Sequence, residues 1–440
     1  MIIKDAMIFT NDDKGFIESG WIKVKDDEVI DVGEGLPPQA QDEEVIDVKG
    51  ELITPGFVNA HTHIYSTFAR GIPLNIHPRS FYEILNDLWW KLDRNLDKDS
   101  IYYSALIGGM ESLKSGVTTL IDHHASYGYI KGSLNTLKDA LVDVLGIRVD
   151  LCYEISDRWG DKDSYEAQEE SFEFLKYAMD LNNPLLSSHI GLHASFTLKD
   201  ETLKNVRDNT PDNIGFHIHV AEGPEDQEDA IRYYGKRVIE RLLDYDILRE
   251  KSIIVHGIRL TEKEIEIIKE KQPFFAHAPQ SNMNNGVGVQ HIDSLIKDIK
   301  VVLGNDGFGF NILNDLRVMM LLQKHENSDF NAMDFSHIYK IFLENNYTLL
   351  EKFFPGKFGK ISPGYKADFV VFNYTPPTPL TKHNILGHII FGLGDRVSVD
   401  KVFVAGRMRV DGGRILGIDE EKIYKEAERK SFLLWKRIGG

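Results

Sequence analysis

A single cysteine, Cys152, in 440 residues excludes any intrachain disulfide and points to a reducing compartment. No apolar run approaches the ~20 residues needed to cross a bilayer. The opening Met1-Ile2-Ile3-Lys4 lacks the charged-then-apolar layout of a signal peptide, so a cytoplasmic location is expected. Positive charge is in deficit: 51 Lys and Arg stand against 68 Asp and Glu, a formal net charge of −17. That balance argues against nucleic acid or an anionic membrane as a main partner. Low-complexity tracts and long flexible linkers are absent too.

What is present is ordinary for a globular protein: 42% hydrophobic and 27% charged residues, in a chain long enough for a large core and two structural units. Short alternating segments at Met1 to Thr10, Trp21 to Val24 and Val29 to Val32 read as strands, separated by acidic and Gly-containing turns. After Pro55-Gly56 the rhythm becomes strand then helix. Strands are expected at Phe57 to His63, Val117 to His123, Arg148 to Glu154, His189 to Ser195, Gly215 to Glu222, Ile253 to Gly257, Phe274 to Pro279 and Val301 to Gly307. Helical patterns fill the gaps, and Thr261 with Glu264 forms a capping box. Eight such units predict an α/β fold, a (β/α)8 TIM barrel over residues 55–360. From Ile361 the pattern returns to strands and closes on an amphipathic helix, Ile423 to Ile438. Residues 1–54 and 361–440 are therefore expected to form one composite β-sandwich domain.

The chemistry gathers at the ends of the barrel strands. In His61-Thr62-His63 the two imidazoles stand at i and i+2, so in a strand they project from one face. His219, His256 and Asp306 end later strands, and Glu222 follows His219 by three residues. Barrel active sites collect at the C-terminal ends of strands. Several imidazoles and a carboxylate suit one divalent metal with a position left for water, zinc ahead of iron, since imidazole serves both. Such a metal lowers the pKa of its water to ~7. Asp306 is expected to be ionised, to touch the metal with His61, His63 and His219, and to accept a proton. Glu222 is expected to carry a proton to the substrate, with His256 as ligand or as polariser.

These residues resemble the amidohydrolase superfamily, in its mononuclear cytosine deaminase-like and chlorohydrolase-like branch, over essentially the whole chain. Pro55-Gly56-Phe57-Val58-Asn59-Ala60-His61-Thr62-His63 resembles that family's first-strand motif, and His217-Ile218-His219-Val220-Ala221-Glu222 its fifth. Val255-His256-Gly257, Pro279-Gln280-Ser281-Asn282 and Leu303-Gly304-Asn305-Asp306-Gly307 are similar to its sixth, seventh and eighth. Leu88-Trp89-Trp90-Lys91-Leu92-Asp93-Arg94 and Ser281-Asn282-Met283-Asn284-Asn285 look like the SsnA-type aminohydrolases, associated with anaerobic purine catabolism. Two-metal relatives carry a bridging lysine at the end of strand four. Ser187 to Leu198 holds none, which implies one metal.

The resemblance implies a small nitrogen-heterocycle substrate. His193, His124 and His277, also at strand ends, could hydrogen-bond ring nitrogens or exocyclic oxygens. Trp89 could stack on a flat ring or pack against the barrel. Arg70 could meet a substrate group or a carboxylate of the protein. The function expected is metal-dependent hydrolysis of a non-peptide C–N bond, as a deaminase of a purine- or pyrimidine-like compound. Ring opening of a cyclic amide such as xanthine is the alternative, and a non-catalytic binding barrel the remote one. A homodimer is the default assembly.

Overall fold

The computed structural model describes residues 1–38, 43–394 and 398–439. Seventeen strands are found among them. β1 (Ile2–Phe9), β2 (Phe16–Lys25), β3 (Glu28–Glu34) and β4 (Val45–Pro55) precede the barrel strands β5 (Phe57–Thr62), β6 (Val117–His124), β7 (Arg148–Ile155), β8 (Leu186–Ser188), β9 (Ile190–Ala194), β10 (Phe216–Val220), β11 (Ile253–His256), β12 (Phe274–His277) and β13 (Lys300–Leu303). β14 (Phe369–Phe372), β15 (Val399–Val404), β16 (Arg407–Asp411) and β17 (Arg414–Ile415) follow, before the closing helix Glu420–Ile438.

The barrel strands are parallel and run in sequence order, β5-β6-β7-β9-β10-β11-β12-β13, with the short β8 hydrogen-bonded beside β7. They are rich in Val, Ile and Phe, and nearly every residue in them is buried, as helices cover the outer face and side chains fill the inner one. The ring closes at the C-terminal ends of its first and last strands. The amides of Asn305 and Asp306 donate to His61 O at 3.1 and 3.0 Å, and His63 N–H donates to Asp306 O at 3.3 Å. Asn346 also bridges the same two strands, donating to Val58 O at 3.0 Å and accepting from Leu303 N–H at 2.9 Å. Leu349, on the same helix (Asn346–Phe353), packs with Ala60, Ile121, Val255 and Val302 in a small apolar cluster.

Strands from both chain ends form a second sheet, ordered β17-β16-β15-β14-β4-β1-β2-β3. Every neighbouring pair is antiparallel except β1–β4. The β unit expected from both chain ends is one continuous sheet that curls on itself. Val29 N–H donates to Tyr365 O and Gly364 N–H to Val29 O, both at 2.9 Å, so β3 returns beside the chain entering β14. Ile3, Ile8, Ile22, Val29, Phe369 and Phe403 fill the curl.

The apolar run Ile53 to Ala60 is divided between the two sheets at Gly56. A Cβ on Gly56 would lie 2.3 Å from the Thr118 side chain, so only glycine lets the chain cross there. The eighth barrel strand stops at Leu303, short of Gly307, because residues 304–306 are committed to the closing seam.

Candidate active site

The first strand delivers His61 and His63 on one face, with Thr62 turned to donate to Asp306 O at 3.2 Å. The His63 Nδ1–H donates to His123 O at 2.6 Å, and the His219 Nδ1–H to His193 O at 2.8 Å. Each bond fixes the proton on Nδ1 and leaves an Nε2 lone pair. Those two Nε2 atoms face each other at 3.1 Å. The third inward nitrogen, His61 Nε2, is buried without a hydrogen-bond partner and lies 3.7 Å from Asp306 Oδ1. His63 Nε2 is 3.1 Å from the same oxygen. These inward nitrogens and the carboxylate form a donor set that fits a divalent metal.

The electrostatics agree. Burial holds His61 down to about 3 and His219 well below the usual imidazole range, so both are neutral. Burial opposes the charge on His63 as well, but Asp306, with Glu154 and Asp122 behind it, pushes His63 up to about 9. Asp306 is itself buried, which would raise it, yet His61 and His63 beside it hold it well below the usual carboxylate range.

Asp306, His256 and Ala221 all have positive φ, at 56°, 71° and 48°. These left-handed residues at strand ends turn the chain sharply into the site. Asp306 Oδ2 accepts from Ser281 Oγ–H at 2.5 Å, and Asp306 Oδ1 from Gly307 N–H at 2.8 Å. Glu222 accepts from Asn285 Nδ2–H at 3.1 Å and lies 3.3 Å from His256 Nε2. Burial, and then the nearby Asp306, raise the Glu222 carboxyl. His256 Nδ1–H donates to Asn282 Oδ1 at 2.8 Å, leaving Nε2 between Glu222 and Asp306.

This cluster forms one wall of a small cavity open to solvent. Phe81, Trp89, Trp90, Phe196 and Phe308 line it together with His193. His193 Nδ1 is bonded to Thr197 Oγ1 at 2.7 Å.

Three expected substrate contacts sit elsewhere. Arg70 lies outside this cavity and holds Glu111 through two bonds of 2.9 and 2.8 Å, the carboxylate alternative given for it. His124 is turned to Ser126 Oγ at 2.9 Å, since its neighbour His123 takes the inward face. His277 is buried behind the site with both ring nitrogens unpartnered. In their place the cavity holds Asp93 and Glu154, joined through the buried Arg158 at 2.5 and 2.7 Å. Glu154 ends the third strand, so its position was a readable signal. Asp93 reaches the cavity from the helical insertion after the first strand, which no local spacing reveals.

The sequence matches the profile described as the amidohydrolase family over residues 52–409. Curated relatives include a 5'-deoxyadenosine deaminase of Methanocaldococcus jannaschii, 28% identical over 92% of this chain and 94% of its own. A 5-methylthioadenosine/S-adenosylhomocysteine deaminase of Thermococcus sibiricus is 29% identical over 93% of both chains. Among solved structures, an adenosine deaminase from Xanthomonas campestris with bound zinc superposes with a TM-score of 0.83 at 20% identity, over 98% of each chain. The atrazine chlorohydrolase of Arthrobacter aurescens, complexed with zinc, gives 0.82 at 20% identity over 99% of each. At that identity the two structures speak for the fold.

Proposed function

This chain belongs to the amidohydrolase family, and from that premise we propose that it is a zinc-dependent deaminase that removes the exocyclic amine from an adenine-type ring carried by a nucleoside. It is a hydrolytic enzyme acting on a carbon–nitrogen bond of a heterocycle. The observation that carries the finer reading is the facing of the His63 and His219 Nε2 lone pairs beside Asp306, on the wall of an aromatic cavity. The relatives' adenine nucleosides supply the substrate class.

His61, His63 and His219 would hold the cation through Nε2, and Asp306 through Oδ1. A zinc ion there supplies a Lewis acid that makes water acidic near neutral pH. Asp306 Oδ2, oriented by Ser281, takes the water's proton. Glu222, oriented by Asn285 and kept protonatable by burial, gives a proton to the ring nitrogen beside the carbon under attack. The proton held on Asp306 then goes to the departing amine, which leaves as ammonia, while Glu222 recovers a proton from the new hydroxyl as it becomes a carbonyl. His256, its Nδ1–H fixed by Asn282, faces both carboxyls and polarises the group that forms between them. Trp89, Trp90 and Phe308 supply flat apolar walls for the ring.

The test is a screen of metal-replete protein on 5'-deoxyadenosine, methylthioadenosine, adenosine and xanthine, following ammonia and ring absorbance together. Ammonia with the purine chromophore intact is expected from the nucleosides. Glu222→Gln should lower kcat by about 10²- to 10⁴-fold with metal content unchanged. Loss of the chromophore of xanthine without ammonia would reassign the enzyme to ring opening. Inactivity on every nucleoside with zinc bound would remove the substrate class.

A further inference from the structure

Beneath the site a line of buried side chains runs from His61 down the barrel interior. His61 Nδ1 lies 2.9 Å from His217 Nε2, and His217 Nδ1 lies 3.1 Å from His189 Nε2. His189 Nδ1 is paired with Asp150. All four residues are at most 1% exposed, and the His189 ring stacks on Phe353, 5.3 Å between centroids. We infer that Asp150 and His189 are positioning residues which, through His217, lock His61 in the one tautomer that leaves its Nε2 free to bind a metal.

An ionised carboxylate only accepts hydrogen bonds, so His189 carries its proton on Nδ1 and presents an Nε2 lone pair. His217 must then donate from Nδ1 and accept at Nε2. His61 must donate from Nδ1, which leaves Nε2 bare. From the other end the polarity is the same: His61 Nε2 has no hydrogen-bond partner, and as a ligand it must be unprotonated. Metal-bound histidines commonly give their second N–H to a carboxylate or carbonyl. His63 and His219 use carbonyls directly. For His61 the carboxylate stands two imidazoles away. Reversing any link puts a proton on His61 Nε2.

Cys152 lies within ligand distance of His189 and His217, so a second metal there is the competing account. The chain argues against it. Asp150 already engages His189 Nδ1, and the Cys152 thiol donates to Asp122 O at 3.5 Å.

The inference rests on the metal site proposed above, and two measurements separate their failures. Long-range ¹⁵N–¹H correlation spectra of the zinc-loaded wild type should show His61, His217 and His189 all protonated at Nδ1. An Nε2 proton on any of them overturns the chain without a variant being made. Zinc affinity by chelator competition should weaken about 10- to 100-fold in His189→Phe and Asp150→Ala. His189→Gln, whose amide can both donate to Asp150 and accept from His217, should stay within a few-fold of wild type. Equal affinity in Gln and Phe variants, or a loss that merely follows the thermal stability of the metal-free proteins, would refute the positioning role. A second zinc per chain, lost in Cys152→Ser, would do so as well. If the wild type binds no zinc, the metal reading itself falls.

Discussion

His63 is the residue at which proton and metal compete. In the metal-free protein its ring titrates near 9, because Asp306, Glu154 and Asp122 outweigh the burial that opposes its charge. A folded pKa raised above the ordinary value stabilises the metal-free fold fully below about 6.5 and loses that contribution as pH rises through about 9. A metal needs the neutral ring, so zinc binding at pH 7 should release about one proton from His63, while His61, already neutral, releases none. Calorimetry in buffers of different ionisation enthalpy would count it. Release near one at pH 7, falling toward zero above pH 9, is the expected result; a value independent of pH would contradict the assignment. The individual side chains also mark the limit of sequence reading. His61, His63, His219, His256 and Asp306 were legible because each ends a strand of a barrel. His124 and His277 satisfied the same positional rule, yet ring direction and the partner Ser126 are decided by packing, as is the pairing of Arg70 with Glu111.

At the scale of the element, the closing seam matters most. Gly304 sits where a Cβ would lie 2.6 Å from His61 O and 2.7 Å from His61 N, backbone atoms that cannot step aside. Gly304→Ala should push the last strand away from the first, destabilising the fold by about 1–3 kcal/mol and weakening zinc binding in the same protein. Urea unfolding and chelator competition would test this together; unchanged metal affinity would show that the seam does not set the site. The strand order itself was legible from alternating strand and helix patterns. The break at Gly56 was legible too; the early stop at Leu303 was not, because it is imposed by a neighbour distant in sequence, His61.

Across the whole molecule, barrel and curled sheet are tied by a buried ion pair. Arg148 of β7 reaches Asp368 at the entrance to β14 and lies over the rings of Phe354 and Phe358. Asp368 Oδ1 also accepts from Ala405 N–H at 2.6 Å. Arg148→Met should cost about 3–5 kcal/mol by leaving a buried carboxylate unpaired, and adding Asp368→Asn should recover much of it. Equal midpoints for the single and double variants in denaturant would disprove the coupling. The sequence suggested strands from both chain ends joining in one β unit, as they do. That β3 curls back to residues 364–367 depends on backbone bonds with no signature in either segment.

The seam also sets a timetable for biosynthesis. Thr62 and Asp306, which meet at the metal site, are 244 residues apart. At about 5–20 residues per second, a ribosome needs roughly 12–50 s to travel from one to the other. Throughout that interval the nascent chain carries its first pair of histidines without the aspartate that would complete a site around them. For the metal site proposed above, loading would therefore belong to the end of synthesis, when the barrel can close.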